Sequence, residues 1–173
     1  MDLKSGDVVL VEGRGLYGIG IRLINWYSNF FRKNKAIKYG HVGVMLNKED
    51  IAEALSQGVI RHKMSYKRGF DIYRLKNVSD EDRIKIASKA LRMIGKKYSW
   101  YLIAILGVLK ILRLEWTING IRREGEICSV VVAKSYREID YSFQNHECID
   151  FVDPMDIAEK IIYSDKGAWK KII

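Results

Sequence analysis

The sequence predicts one domain of mixed strand and helix content, and three observations carry that expectation. The chain of 173 residues is 48% hydrophobic and 11% aromatic, enough apolar surface for one compact core within the usual size of a domain. It has one proline and 14 glycines, with no repeat and no Gly/Ser/Pro-rich linker, so residues 1–173 read as a single unit. Short apolar runs bounded by turn residues dominate up to Leu75, and helical spacing dominates from Ser79 onward.

The elements follow in order. Val8–Val11, after the turn residues Ser5-Gly6-Asp7, reads as a buried strand. Gly13, Gly15, Gly18 and Gly20 punctuate a loop without the spacing or the Lys-Ser/Thr of a phosphate-binding fingerprint. Ile19–Phe31 carries Ile21, Ile24, Tyr27 and Phe31 at helical spacing. His41–Leu46 and Ile51–Leu55 flank the turn Asn47–Asp50 and predict a hairpin, and Gly58–Ile60 and Phe70–Leu75 supply further strands.

Ser79–Asp82 has a capping-box pattern. Ile84, Ala87, Leu91 and Ile94 then predict one buried helical face, with Gly95 at the stop. Ser99–Leu109 is an apolar run too short to span a bilayer, and reads as a core-packed helix. Ile127–Tyr136 is ambiguous, its β-branched residues leaning to a strand. Met155–Ile162, after Asp153-Pro154, predicts a short helix.

Lys and Arg number 30 against 21 Asp and Glu, a formal charge of +9. Ten of the basic residues fall between Arg83 and Arg123, against Glu115 alone. A solvated basic face is the ordinary reading of such a cluster, and an anionic partner is the functional one. The beginning of the sequence lacks the apolar stretch of a signal peptide, and two cysteines are too few for a disulfide scaffold, so a cytoplasmic location is expected. The three histidines lie in separate segments without metal-ligand spacing, so neither a metal nor another cofactor is expected.

A thiol attacks a carbonyl carbon well only as thiolate, and needs a base or a helix N-terminus to favour that form. Cys128 has two readings: a small apolar side chain beside Val130–Val132, the commoner fate of cysteine, or a nucleophile. His41, at the start of its strand, is either structural or the base that takes the thiol proton. Glu53 lies twelve positions on, which across a hairpin centred near Asn47 places both side chains on one face, nearly opposite. It is either an exposed strand carboxylate or the group that orients the ring. His62, in the basic stretch Arg61–Arg68, and His146 read as solvated surface residues, and Cys148 is given no role.

The order of these segments resembles that of the circularly permuted papain-like amidases of the YiiX/YaeF type, a branch of the NlpC-type superfamily that includes lecithin:retinol acyltransferase-like enzymes. The matching pieces are Gly6-Asp7-Val-Val-Leu10, Tyr39-Gly-His41-Val-Gly-Val44, Ile51-Ala-Glu53-Ala54 with Gly58-Val59, Tyr73-Arg74-Leu75, Gly95-Lys-Lys-Tyr98-Ser-Trp100, Cys128-Ser129 leading to Ala133 and Tyr136, and Pro154-Met-Asp156-Ile157. They span nearly the whole chain with His before Cys, the permuted order. Two positions depart from the pattern: Val130 replaces the acidic residue after Cys-Ser, and Ser99 replaces the aspartate after Tyr98.

The resemblance implies an α+β, permuted papain-like fold: a small antiparallel sheet packed against helices, with Cys128 at a helix N-terminus. It implies Cys128 as nucleophile, His41 as base and Glu53 as the orienting residue. The expected function is a thiol hydrolase acting on an amide or ester, with peptides the commonest substrates of the superfamily. The rival is a phospholipid acyl hydrolase or acyltransferase, peripheral to an anionic membrane surface, supported by Trp100–Leu109 lying within the basic segment. A catalytically silent binding module is a third reading. Nucleic acid is disfavoured as a partner because no recognition motif accompanies the charge.

Overall fold

The computed structural model describes residues 2–13, 38–67, 69–101, 103, 125–143 and 152–173. The helix expected at 19–31, the glycines at 15, 18 and 20, the apolar run at 102 and 104–109, and the basic residues at 110, 113, 122 and 123 lie outside them.

Six strands form one sheet: β1 (Val8–Glu12), β2 (Tyr39–Met45), β3 (Asp50–Leu55), β4 (Gly58–Lys63), β5 (Phe70–Leu75) and β6 (Trp169–Lys171). Their order is β4-β3-β2-β1-β5-β6 and every pairing is antiparallel. The architecture is therefore α+β, as expected. β1 is central and buried on both faces, which its unbroken Val-Val-Leu-Val run requires. Val8 and Leu10 join Val42, Val44, Ala52 and Ala54 in the main core, whereas Val9 joins Met45, Ile51 and Ile72 in a second cluster. The β2–β3 turn closes where Asn47 Oδ1 accepts from the backbone N–H of Glu49 and Asp50 at 2.7 and 2.8 Å.

Three α-helices stand among the described residues: α1 (Asp80–Leu91), α2 (Cys128–Tyr136) and α3 (Pro154–Glu159). Ser79 caps α1, its hydroxyl accepting from Asp82 N–H at 3.0 Å. The buried face of α1 is not the expected one: Arg83, Ile86, Ala87 and Ala90 point inward, while Ile84, Leu91 and Ile94 are exposed. The reason is electrostatic. Asp7 is fully buried and accepts from Arg74 Nε and Nη2 at 2.7 Å each. Arg83 Nη1 stands 3.8 Å from the same carboxylate, and its Nη2 donates to the Leu75 carbonyl at 2.8 Å. Burying Arg83 fixes the rotation of α1, and also removes that residue from the solvated basic face.

α2 is helical although Val130–Val132 lean to strand. All three are buried, with Val131 and Val132 in the main core, and α2 packs on β2 and α1. Packing overrides an intrinsic preference of this size. α3 opens as expected, with Asp153 as N-cap, a reciprocal capping box to Asp156, and Pro154 in the first turn. It continues into a π-helical turn, Lys160–Ser164. Among the described residues no helix is long and apolar enough to cross a membrane.

Candidate active site

The sheet register brings the polar residues together. Met45 pairs with Ile51, and Ile51 pairs with His62. Residues two apart on a strand share a face, so His41, Glu53 and His62 lie on one face of three consecutive strands. Continuing the β2–β3 register sets Gly43 opposite Glu53. His41 and Glu53 are thus diagonal neighbours rather than directly opposite, and the absent side chain at Gly43 leaves room between them. A Cβ there would lie 2.7 Å from Ile51 Cδ1.

Glu53 is 1% exposed and accepts three hydrogen bonds. His41 Nε2 is 2.5 Å from Oε2, Tyr66 donates its hydroxyl to the same oxygen at 2.7 Å, and His62 Nε2 reaches Oε1. Burial opposes the charge on Glu53, yet the bonds from His41, Tyr66 and His62 overcome it and pull the carboxyl down to about 2. Burial together with the Glu53 charge pushes the Tyr66 phenol up, keeping it a neutral donor.

Cys128 opens α2. Burial alone would lower the basicity of His41, but the charge and hydrogen bond of the Cys128 sulfur, followed by those of Glu53, raise the ring to about 10. With Nε2 engaged by Glu53, Nδ1 is the ring nitrogen left for the sulfur. Cys128 is a free thiol, 6% exposed, and Tyr98 lies close enough that the sulfur, after burial, raises its phenol. The α2 N-cap is Ile127, in an extended conformation and without a side-chain cap bond, so no capping side chain covers the first turn of that helix.

The approach to Cys128 is pinned. Glu126 N–H donates to the Lys97 carbonyl at 2.9 Å, and Ser99 N–H donates to the Glu126 carbonyl at 3.1 Å. The buried Glu126 carboxylate holds Lys96 Nζ at 2.9 Å and Lys134 Nζ at 3.0 Å. Gly125 permits this crossing: its φ is +89°, and a Cβ would meet the Lys97 carbonyl oxygen at 2.7 Å.

Cys128, His41 and Glu53 thus come together. His62 is a correction: its side chain is 30% exposed, but its ring is engaged with Glu53 rather than solvated. Arg61 and Lys63 made the segment look like surface, yet alternation turns them to the opposite face, where Arg61 pairs with Asp50 and Lys63 with Glu49. The readable signal was the period of β4, which continues to Lys63. His146 and Cys148 lie outside the described residues.

No protein-family model matches the sequence, and no curated protein is found similar to it. Among solved structures, the chain is similar to the crystal structure of YiiX from Escherichia coli O157:H7, described as a metalloprotein and as DUF1105. The match has 18% identity and a TM-score of 0.58, and it covers 100% of this chain and 89% of that one, a likeness of fold.

Proposed function

We propose that the chain is a thiol hydrolase of the permuted papain-like kind, with Cys128 as nucleophile, His41 as general base and acid, and Glu53 as the residue that orients His41. The observation that carries this reading is that His41 faces the buried Glu53 carboxylate at 2.5 Å while the Cys128 sulfur at the tip of α2 is the largest influence raising its ring. In the reactive form the proton sits on His41 and the sulfur is a thiolate. The thiolate attacks the carbonyl carbon of an amide or ester, forming a C–S bond and an oxyanion. Backbone N–H groups in the first turn of α2 stand ready to donate to that oxygen. Collapse breaks the C–N or C–O bond as His41 protonates the leaving group. Water then gives a proton to His41, attacks the thioester, and releases the acid and the thiolate.

The metal content attributed to the YiiX structure does not transfer to these residues. Among the described residues no three His, Cys, Asp or Glu side chains are grouped to hold an ion. His41 and His62 both direct Nε2 to Glu53.

A second reading, lipid acyl chemistry at an anionic surface, is favoured by one feature. Trp100 is 46% and Tyr101 62% exposed, three and four positions beyond Lys97, a pairing of interfacial aromatics with cations. One experiment separates the two: mass spectrometry of the protein after incubation with peptide amides and with phosphatidylserine vesicles. A peptidyl adduct on Cys128 supports the amidase, and a fatty-acyl adduct supports the lipid reading. Adduct formation that persists in Cys128→Ala refutes both.

A further inference from the structure

We infer that His62 is a positioning residue of this site: as an imidazolium donating from both ring nitrogens, it holds Glu53 Oε1 so that Oε2 is left to face His41. The inference rests on the thiol reading above and assigns a role that reading does not require.

His62 Nε2 faces Glu53 Oε1, and His62 Nδ1 lies 2.9 Å from the Lys63 carbonyl oxygen. Both facing atoms are acceptors, and a neutral imidazole has only one N–H to give. Both contacts are hydrogen bonds only when the ring carries two protons. The alternative, in which the carboxyl supplies the proton, is disfavoured because His41 and Tyr66 both donate to Oε2 and so stabilise the charged form of Glu53.

The consequence is a division of the carboxylate. Oε2 accepts from His41 and Tyr66, and Oε1 accepts from His62. The terminal torsion of a glutamate is soft, so bonding one oxygen alone would let the plane of the group turn. Donors on both oxygens fix that plane, and with it the direction of the acceptor that steers His41. The groups facing His62 across the sheet are Glu53, with His41 and Tyr66 beyond it. The neighbouring charges on its own strand, Arg61 and Lys63, are matched by Asp50 and Glu49 on the other face. With His62 and His41 cationic and Glu53 and the sulfur anionic, the cluster is neutral overall, whereas with His62 neutral it would carry one uncompensated negative charge, which suits a buried site less well.

Two measurements test this. Nitrogen-15 NMR of the unmodified protein at neutral pH reads the ring directly: two protonated nitrogens on His62 are expected, and a single protonated nitrogen overturns the inference. The second is the iodoacetamide alkylation rate of Cys128 at neutral pH in His62→Phe, His62→Gln and His41→Ala. His62→Phe leaves Oε1 buried without a donor and should slow alkylation roughly tenfold, the loss of one charge-assisted hydrogen bond. His62→Gln restores an N–H donor and should recover most of that rate, which a merely space-filling role would not predict. A slowed His41→Ala beside an unslowed, folded His62→Phe refutes only the role of His62. An undiminished rate in His41→Ala refutes the thiol reading and this inference together.

Discussion

Replacing Glu53 by glutamine keeps the shape of the side chain and removes its charge. The carboxylate presents two acceptor oxygens to three donors, whereas an amide has one oxygen and one NH2. In either orientation a donor of His41 and Tyr66, or that of His62, meets another donor. The 2.5 Å contact to His41 is a bond between charged groups, worth about 1.5–3 kcal/mol. At about 1.4 kcal/mol for each tenfold, the protonated ring loses roughly ten- to a hundredfold in population, and on the proposed reading the reactivity of Cys128 falls with it. Burial then lowers the basicity of His41 with less opposition, and the ring falls from about 10. Iodoacetamide alkylation of Cys128, followed by mass spectrometry as a function of pH, reads this without knowledge of the substrate. Glu53→Gln should lag the wild type near neutrality. Thermal melting gives the matching stability signature. Glu53, depressed from 4.5 to about 2, contributes stability above 4.5 that is lost as pH falls toward 2. His41, raised from 6.5 to about 10, contributes stability below 6.5 that is lost as pH rises toward 10. Only the part of each shift that His41 and Glu53 exert on one another is lost in the variant, the Cys128 share of the His41 shift remaining; that part is one ion pair, counted once, so the gap in melting temperature between wild type and variant should be widest between 4.5 and 6.5. An alkylation profile that matches the wild type near neutrality would refute the assignment of Glu53.

Two further substitutions probe the frame and the helix tip. Asp7→Asn leaves Arg74 and the buried Arg83 without their shared carboxylate, and should cost about 3–5 kcal/mol in urea denaturation; an unchanged midpoint would show that the cluster does not hold α1 to the sheet. Ser129→Ala removes a buried hydroxyl that has no hydrogen-bond partner among the described residues. It should be neutral or stabilising by up to about 1 kcal/mol, with Cys128 alkylation unchanged, and a slower alkylation would instead place that hydroxyl in the chemistry.

Much of the sheet was readable because strands announce themselves by turns and alternation. Val8–Val11, the hairpin around Asn47–Asp50 and Phe70–Leu75 lie where the pattern put them. What escaped was decided by tertiary contact. Val130–Val132 favour a strand by side-chain shape; the family resemblance, not the residues themselves, implied a helix opening at Cys128, and the burial of all three, Val131 and Val132 in the main core, is what enforces it. The inward face of α1 misled because burial normally selects Ile84 and Leu91 over an arginine; Asp7, 76 residues before Arg83, reverses that choice. β6 is three residues long and carries too little pattern to detect. Of the site, Cys128, His41 and Glu53 were singled out as types in order. His62 was hidden because two cations flank it, and charge dominated a segment where the strand period should have.

The separation along the chain between Cys128 and its partners has a consequence for how the protein becomes reactive. His41, Glu53 and His62 lie on a meander of adjacent strands closed by short turns, contacts of the kind that form early in folding. Cys128 reaches them from 87 positions beyond His41 (128 − 41), through the docking of α2 and the crossing of Gly125–Glu126 over Lys97–Ser99. Until that long-range step is complete, the sulfur lacks the neighbours His41 and Glu53. On the proposed thiol reading, nucleophilicity at Cys128 is therefore a property of the fully assembled molecule, and alkylation at this one atom becomes a reporter of native assembly.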